Sequence, residues 1–321
     1  MKISYYLPKT ALDNTQLKSS GWNMQRIFEK TGIRQRHVSA KNQYAMDLAL
    51  GACRTLLREH RISKDRVDFL LYCTQSPDFI IPTNACLLQH KLGLNKTIGA
   101  LDFNLGCSGF VYGLSLAKGL LATGQARSVL LVTADTYTKY IHKDDRVNRT
   151  LFGDGAAATY LDKADAQKIG HFIFGTDGSG ADNLCVKTSG LRYGPSKTEG
   201  HAFNRDNHLY MDGPSILNFA LSEVPAAVAQ TLRRSKMKIK DIDYFVFHQA
   251  NAFMLEALRE KIDIPKEKML ISLEDIGNTV SSSIPIALSR FLKNGKIRTG
   301  QKLLLVGFGV GYSWVATVIR A

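Results

Sequence analysis

The 321-residue sequence predicts a layered α/β protein made from two copies of one strand–helix–strand unit. Three observations carry that expectation. The segment ISKDRVDFLLYCTQS, from Ile62, matches the pattern of MKIKDIDYFVFHQAN, from Met237, and sets Cys73 against His248, 175 positions on. LLVT ending at Thr133 matches LLLVG ending at Gly307, 174 positions on. Between these pairs, the start of a long helical pattern at Cys107 falls against the run Ser281 to Ser283. A common order at a near-constant offset marks an internal duplication. Two such halves, 1–164 and 165–321, imply paired sheets with helices between and outside them. Sites then lie where the strand ends of both halves meet.

Taken in order, residues 1–40 read as irregular apart from a helical pattern over Trp22 to Lys30, which Thr31-Gly32 breaks. Tyr44 to His60 places Met46, Leu48, Ala52, Leu56 and Leu57 on one face of an amphipathic helix. Val67 to Cys73 is a short apolar run, the pattern of a strand buried on both faces. Pro82 opens a helix through Leu92, and Ile98 to Phe103 is the next strand. Phe110, Val111, Leu114, Ala117, Leu120 and Leu121 then recur at helical spacing, with Gly124 as the stop. Ser128 to Thr133 is a further buried strand, followed by a polar stretch from Tyr137 to Arg149 and by Phe152-Gly153-Asp154-Gly155-Ala156-Ala157-Ala158. A hydrophilic link over Leu161 to Lys168 leads to a strand at His171 to Phe174. A Gly- and Asn-rich region then runs to Leu209, and a long helix spans Met211 to Arg233.

Composition limits the function. Hydrophobic residues are 45% and charged residues 22%, as in ordinary water-soluble domains. No apolar run approaches the ~18 residues of a membrane span, and MKISYYLPKT lacks the apolar stretch of a signal peptide. The expectation is a cytoplasmic protein with no membrane insertion. Five cysteines, an odd number without C-x-x-C spacing, exclude a disulfide framework and a zinc ribbon, and no metal site is expected. The net charge of +14 points to an acidic partner or substrate. Nucleic acid is not expected, because no zinc-finger spacing, aromatic RNA-binding strand or basic heptad region accompanies the charge.

The chemistry centres on Cys107 in Leu101-Asp102-Phe103-Asn104-Leu105-Gly106-Cys107-Ser108-Gly109-Phe110. It stands at a strand-to-helix junction, in the expected first turn of a buried helix. Free N–H groups and the helix dipole converge there, a setting that lowers a thiol pKa and favours the nucleophilic thiolate. The alternative is a small buried hydrophobe. Gly106, Ser108 and Gly109 argue for reactivity, since they clear space around the sulfur as a substrate channel requires. His248 closes an apolar strand, and Asn278 follows Gly277 just before the second half's central helix. Either could be merely structural. The duplication brings both towards Cys107.

DFNLGCSGF, HQAN, GNTVSSSIP and GFGVGYSW, in that order, together with TGIRQRH, FGDGAAA and Met211-Asp212-Gly213, resemble the β-ketoacyl-acyl-carrier-protein synthase III family of the thiolase superfamily, from about Tyr6 to Arg320. The resemblance implies a thiolase-like α-β-α-β-α layering and a decarboxylative Claisen condensation. Cys107 would take an acyl group from acyl-CoA, with backbone N–H groups of Cys107 and Val310 as the oxyanion hole. His248 and Asn278 would hold the carbonyl oxygen of a malonyl thioester, malonyl-ACP. No cofactor is held permanently. Ile81, Phe152 and Phe308 would shape the acyl pocket, Ile81 by reaching across a homodimer. Arg26, Lys30, Arg146 and Asn251 would contact coenzyme A or its pantetheine arm. Val310 replaces a family glycine, so its side chain is expected to point away from the site, and Phe253 stands where an arginine often meets the acidic, transiently bound acyl carrier. Two other readings are an acyltransferase passing the Cys107 acyl group to an alcohol or amine, and a non-enzymatic basic scaffold on nucleic acid or membrane.

Overall fold

The computed structural model describes residues 1–16, 23–190 and 207–321. The first half runs β1 (Lys2–Tyr6), β2 (Thr10–Asp13), α1 (Met24–Thr31), β3 (Gln35–Val38), α2 (Ala45–Glu59), β4 (Phe69–Cys73), α3 (Asn84–Leu92), β5 (Gly99–Phe103), α4 (Gly109–Ala122), β6 (Ser128–Asp135), α5 (Asn148–Leu151) and β7 (Gly155–Asp162). A short helix, α6 (Lys163–Gln167), leads to β8 (Ile169–Thr176), β9 (Leu184–Cys185), β10 (Tyr210–Met211), α7 (Gly213–Arg234), β11 (Tyr244–Phe247), α8 (Ala252–Ile262), α9 (Ser283–Lys293), β12 (Lys302–Gly309) and β13 (Ser313–Arg320).

The described strands form two main sheets with matching topology. One has the order β1-β7-β6-β4-β5, the other β11-β12-β13-β8. In the first, β4 runs parallel to β5 and β6, and β7 antiparallel to β6 and β1. In the second, β11 runs parallel to β12, while β13 is antiparallel to β12 and β8. A parallel bridge from Phe245 to Met269 stands where β5 stands in the first sheet. The offset seen in the sequence is therefore structural: β4 corresponds to β11, α4 to α9 and β6 to β12.

Strand alternation explains the wholly apolar runs. Leu70 and Tyr72 of β4 face one way, into a core with Leu48, Ala52 and Leu56 of α2 and Leu88 of α3. Leu71 faces the other way, into a central core with Phe110, Val111 and Leu114 of α4 and Ile284, Ala287 and Leu288 of α9. From the opposite sheet, Val246, Leu303 and Leu305 enter that same central core. Phe245, Phe247, Leu304 and Val306 face outward to α7 and α8. The result is five layers, with α4 and α9 buried between the sheets. Each fully buried Phe or Leu contributes roughly 1.5–3 kcal/mol relative to exposure. A continuous core is thus available on both faces of both sheets.

Several expectations change. Residues 1–40 are not irregular: β1 pairs with β7, and β2 with β3. The segment Gly155-Ala156-Ala157-Ala158 belongs to β7, buried between β6 and β1. Glycine and alanine carry little strand preference of their own, so close packing rather than propensity makes this strand. The link over Leu161 to Lys168 contains α6, which Asp162 caps by accepting from the N–H groups of Ala164 and Asp165. Met211 lies in β10, and α7 starts at Gly213 behind the Asp212 cap. Gly32, in the left-handed region at φ 67°, ends α1 as the sequence suggests. Trp22 lies outside the described residues.

Candidate active site

Cys107 lies in the turn that leaves β5. It precedes Ser108, the capping position of α4, and is therefore just outside the first helical turn. Gly109 N–H donates to Gly106 O at 2.8 Å and closes the turn. The sulfur is nearly buried, and its own N–H and that of Val310 both bear on it. Burial pushes the thiol up to about 12, with the Asp135 carboxylate adding to the rise. The two N–H groups lower it but do not win. This overturns the depressed pKa read from the sequence: a helix start favours the thiolate only where burial does not outweigh it.

The small neighbours also act differently from expectation. A side chain at Gly106 would meet Gln75 Oε1 at 2.5 Å and Val310 Cγ1 at 2.7 Å. One at Gly109 would strike Cys73 Sγ. Both glycines make room for protein atoms, not for a substrate channel. The residue that leaves the sulfur open is Gly309, whose added Cβ would sit 2.8 Å from Cys107 Cβ and 3.0 Å from its Sγ. Val310 turns its side chain onto Gly106, leaving its N–H for the sulfur.

His248 follows β11, anchored by its N–H to Val306 O at 2.8 Å. Its Nδ1 lies 2.7 Å from Ser283 Oγ at the start of α9, which leaves Nε2 for the cavity. Burial pushes the imidazole down to about 3, so the ring is neutral. Asn278 is held on both sides by backbone. Its N–H donates to Leu151 O at 2.9 Å, and its carbonyl accepts from Gly153 N at 3.0 Å. Its Oδ1 accepts from Val280 N at 2.9 Å, which leaves the Nδ2 donors unused by that turn.

Cys107, His248 and Asn278 line one cavity of about 340 Å³, with Phe152 and Phe308 in its wall. Of the residues expected at coenzyme A, Lys30 and Asn251 line it; Asn251 also caps α8, its Oδ1 accepting from Met254 N at 2.8 Å. Arg26 and Arg146 do not line it. Both are exposed, Arg26 on α1 and Arg146 in the loop before α5. Ile81 does not reach it either: at 85% exposure it points away from the chain that carries it. Exposed Phe253 and Val147 complete the rim and make it largely apolar. Among the described residues no cluster of three His, Cys, Asp or Glu could hold a metal, and no helix is long and apolar enough to cross a membrane.

Asp135, at the end of β6, was not singled out by the sequence. It accepts from Gln75 N (2.8 Å), Ser281 N (3.3 Å) and Thr74 Oγ1 (3.4 Å), and from Ser281 Oγ. Burial nonetheless raises its carboxyl to about 7. Ser283 was visible only as part of the serine run that the duplication sets against Cys107.

Comparison with known proteins identifies the family. Residues 101–178 match the model for 3-oxoacyl-[acyl-carrier-protein (ACP)] synthase III, and residues 232–321 match the model for its C-terminal part. A relative from Halalkalibacterium halodurans, named beta-ketoacyl-[acyl-carrier-protein] synthase III 2, is 36% identical over 99% of this chain and 95% of its own. A crystal structure of a 3-oxoacyl-(acyl-carrier-protein) synthase III superposes with a TM-score of 0.94 at 48% identity, covering 99% of this chain and 98% of the other. The 3-oxoacyl-(acyl-carrier protein) synthase from Burkholderia xenovorans gives 0.91 at 34% identity, covering 100% and 93%. The chain therefore belongs to the 3-oxoacyl-[acyl-carrier-protein] synthase III family, condensing acyltransferases of the thiolase fold.

Proposed function

We propose that this chain joins an acyl group carried on Cys107 to a malonyl thioester with loss of carbon dioxide. The observation that carries the reading is the single cavity lined by Cys107, His248 and Asn278. An acyl thioester, acyl-CoA in this reading, enters. Cys107 sulfur forms the new thioester, its proton leaves with the departing thiol, and the N–H groups of Cys107 and Val310 hold the oxyanion. Malonyl-ACP follows. Its thioester oxygen accepts from His248 Nε2 and Asn278 Nδ2, the carboxylate leaves as carbon dioxide, and the enolate carbon attacks the acyl group on Cys107. The sulfur leaves and regains a proton from water, and a 3-oxoacyl product departs. A neutral imidazole suits a donor to the enolate. With its pKa lowered to about 3 it is a weak base, poorly matched to taking a proton from an alcohol or amine acceptor.

The same reading extends to partners and place. The halves 1–164 and 165–321 supply the cysteine and the His–Asn pair respectively. A net charge of +14 complements an acidic acyl carrier. Exposed Phe79, Ile80 and Ile81 beside the edge strand β5 form an apolar surface suited to a second copy, through which Ile81 would close the partner's acyl pocket. The enzyme works in the cytoplasm in this reading.

The test is release of labelled carbon dioxide from malonyl-ACP with an acyl thioester present. Wild type releases it together with 3-oxoacyl product. Asn278→Ala takes up acyl groups on Cys107 but loses at least ~100-fold in condensation, the scale of one lost oxyanion donor. Unchanged condensation by that variant would falsify the mechanism.

A further inference from the structure

The run Ser281-Ser282-Ser283 has no part in the chemistry above, yet each hydroxyl has a buried partner in another element, β6 for the first two. Ser281 donates to Asp135, and Ser282 Oγ lies 3.0 Å from Thr133 Oγ1 and 3.0 Å from Thr133 O. Ser283 differs from both, because its hydroxyl contacts His248 itself.

We propose that Ser283 is a positioning residue that fixes the proton of neutral His248 on Nε2, so that the imidazole enters the reaction as a donor and not as a base. This rests on the reading of His248 given above. Two contacts and burial carry it. Ser283 Oγ lies 2.7 Å from His248 Nδ1. The same oxygen accepts the Gln249 N–H at 3.3 Å, which occupies a lone pair on the side of the chain leaving β11. Ser283 is buried, so bulk water does not reach its hydroxyl. A hydroxyl has one hydrogen and two lone pairs. If Nδ1 carried the ring proton and donated it to Ser283, the buried hydroxyl hydrogen would have no acceptor, because His248 Nδ1 and the Gln249 N–H are its only hydrogen-bond neighbours among the described residues, so the hydrogen goes to Nδ1. Nδ1 then accepts, and the single ring proton of a neutral imidazole resides on Nε2. Gln249 cannot drift from this arrangement. Its Nε2 donates to Phe247 O at 2.7 Å and its Oε1 accepts from Ser272 N at 2.7 Å. Phe308, edge-on to the imidazole at 5.7 Å between centroids, packs against the ring.

The consequence is a division of labour. Ser283 touches neither substrate nor Cys107. It sets which ring nitrogen carries hydrogen at the enolate oxygen. Its removal leaves acyl uptake by Cys107 intact and weakens the decarboxylation step, in kcat more than in KM.

The deciding experiment reads the tautomer in wild-type protein, with a variant only to assign the signals. Wild-type protein labelled with 15N-histidine is studied by NMR, with the His248 signals among the eight histidines identified by their loss in His248→Gln. The expected spectrum has the proton on Nε2 and an unprotonated Nδ1 across pH 6–8. A proton on Nδ1 overturns the proposal. Kinetics supply the second arm. Ser283→Ala should lower malonyl-ACP decarboxylation at least tenfold, with little change in KM and normal Cys107 acylation by mass spectrometry. Ser283→Thr, which keeps the hydroxyl, should return to within about threefold of wild type. If folded Ser283→Ala keeps full decarboxylation while His248→Ala loses it, Ser283 has no such role. If His248→Ala itself decarboxylates normally, the reading of the site has failed instead.

Discussion

Equivalent places in the two halves have diverged in opposite directions. At the end of the first half's β4 stands Cys73; its counterpart after β11 is His248. At the start of the first half's central helix stands Cys107; its counterpart before α9 is Ser282. Cys107 and His248 line the cavity. Cys73 and Ser282 do not, and both tie the structure together. Cys73 Sγ donates to Leu105 O at 3.0 Å, and burial holds its thiol well above the usual range. Ser282 bonds across to Thr133 in the other half. Each half thus gives one position to the cavity wall and its other position to cohesion. The difference teaches that a duplicated fold needs only one diagonal of its pseudo-symmetric pairs to make a site.

The largest expected effect breaks the pair of cysteines apart. After incubation with acyl-CoA, intact-protein mass spectrometry should find one acyl adduct on wild type. Cys107→Ala should carry none. Cys73→Ala, folded, should carry the full adduct with acylation changed less than twofold. Both thiols are held up by burial, so burial does not separate them. Access to the cavity and the N–H groups of Cys107 and Val310 do. Loss of the adduct in folded Cys73→Ala would end the division proposed between the two diagonals.

The next effect sharpens the contrast between His248 and its inert counterpart through pH. His248 stays neutral in the folded chain, its pKa lowered to about 3 from 6.5. The unfolded chain takes up a proton below about pH 6.5 that the folded chain refuses, so this group removes stability as pH falls from 6.5 towards 3. Asp135 acts with the opposite sign. Its carboxyl is raised from 3.8 to about 7, so the folded chain holds that proton more tightly and loses stability as pH rises through that window. Comparing His248→Gln with wild type isolates the histidine. Relative to wild type, the variant should gain about 2 kcal/mol in urea unfolding between pH 7.5 and pH 5, the order expected for one proton over that range. A difference that stays flat with pH would mean that His248 ionises freely in the folded state.

How much of this was legible depended on whether a feature declares itself locally. The duplication was legible because buried parallel strands are apolar on both faces, so FLLYC and YFVF stand out and keep their spacing. Cys107, His248 and Asn278 were legible because strand ends and helix starts can be placed from such patterns. β7 was not, since Gly155 and the alanines after it form a strand only between two others. The state of Cys107 was not, because burial depends on β12 and Gly309, some 200 residues away in the chain. Arg26 and Arg146 were carried over by position, and the helix that bears the first and the loop that bears the second place them outside the cavity wall. Ser283 was present in the sequence as a conspicuous run, but its contact with His248 exists only once α9 packs beside β11.

The smallest effect concerns Gly109, which packs closely on Cys73. A Cβ at Gly109 would lie 2.3 Å from Cys73 Sγ, a fully buried side chain. Gly109→Ala should therefore destabilise by about 1–3 kcal/mol through overpacking, although an alanine at a helical position is otherwise favoured over glycine by about 0.5–1 kcal/mol. Cys73→Ala removes the sulfur and leaves a small void, which also costs stability. In the double variant the new methyl occupies the space the sulfur left. The two losses should not add: urea unfolding of the four proteins should give a coupling of about 1 kcal/mol or more in favour of the double variant. Strict additivity would mean that the turn around Cys107 yields to the methyl group. In that case the Gly109 contact adds nothing to cohesion, and Cys73 ties the Cys107 turn only through its bond to Leu105 O.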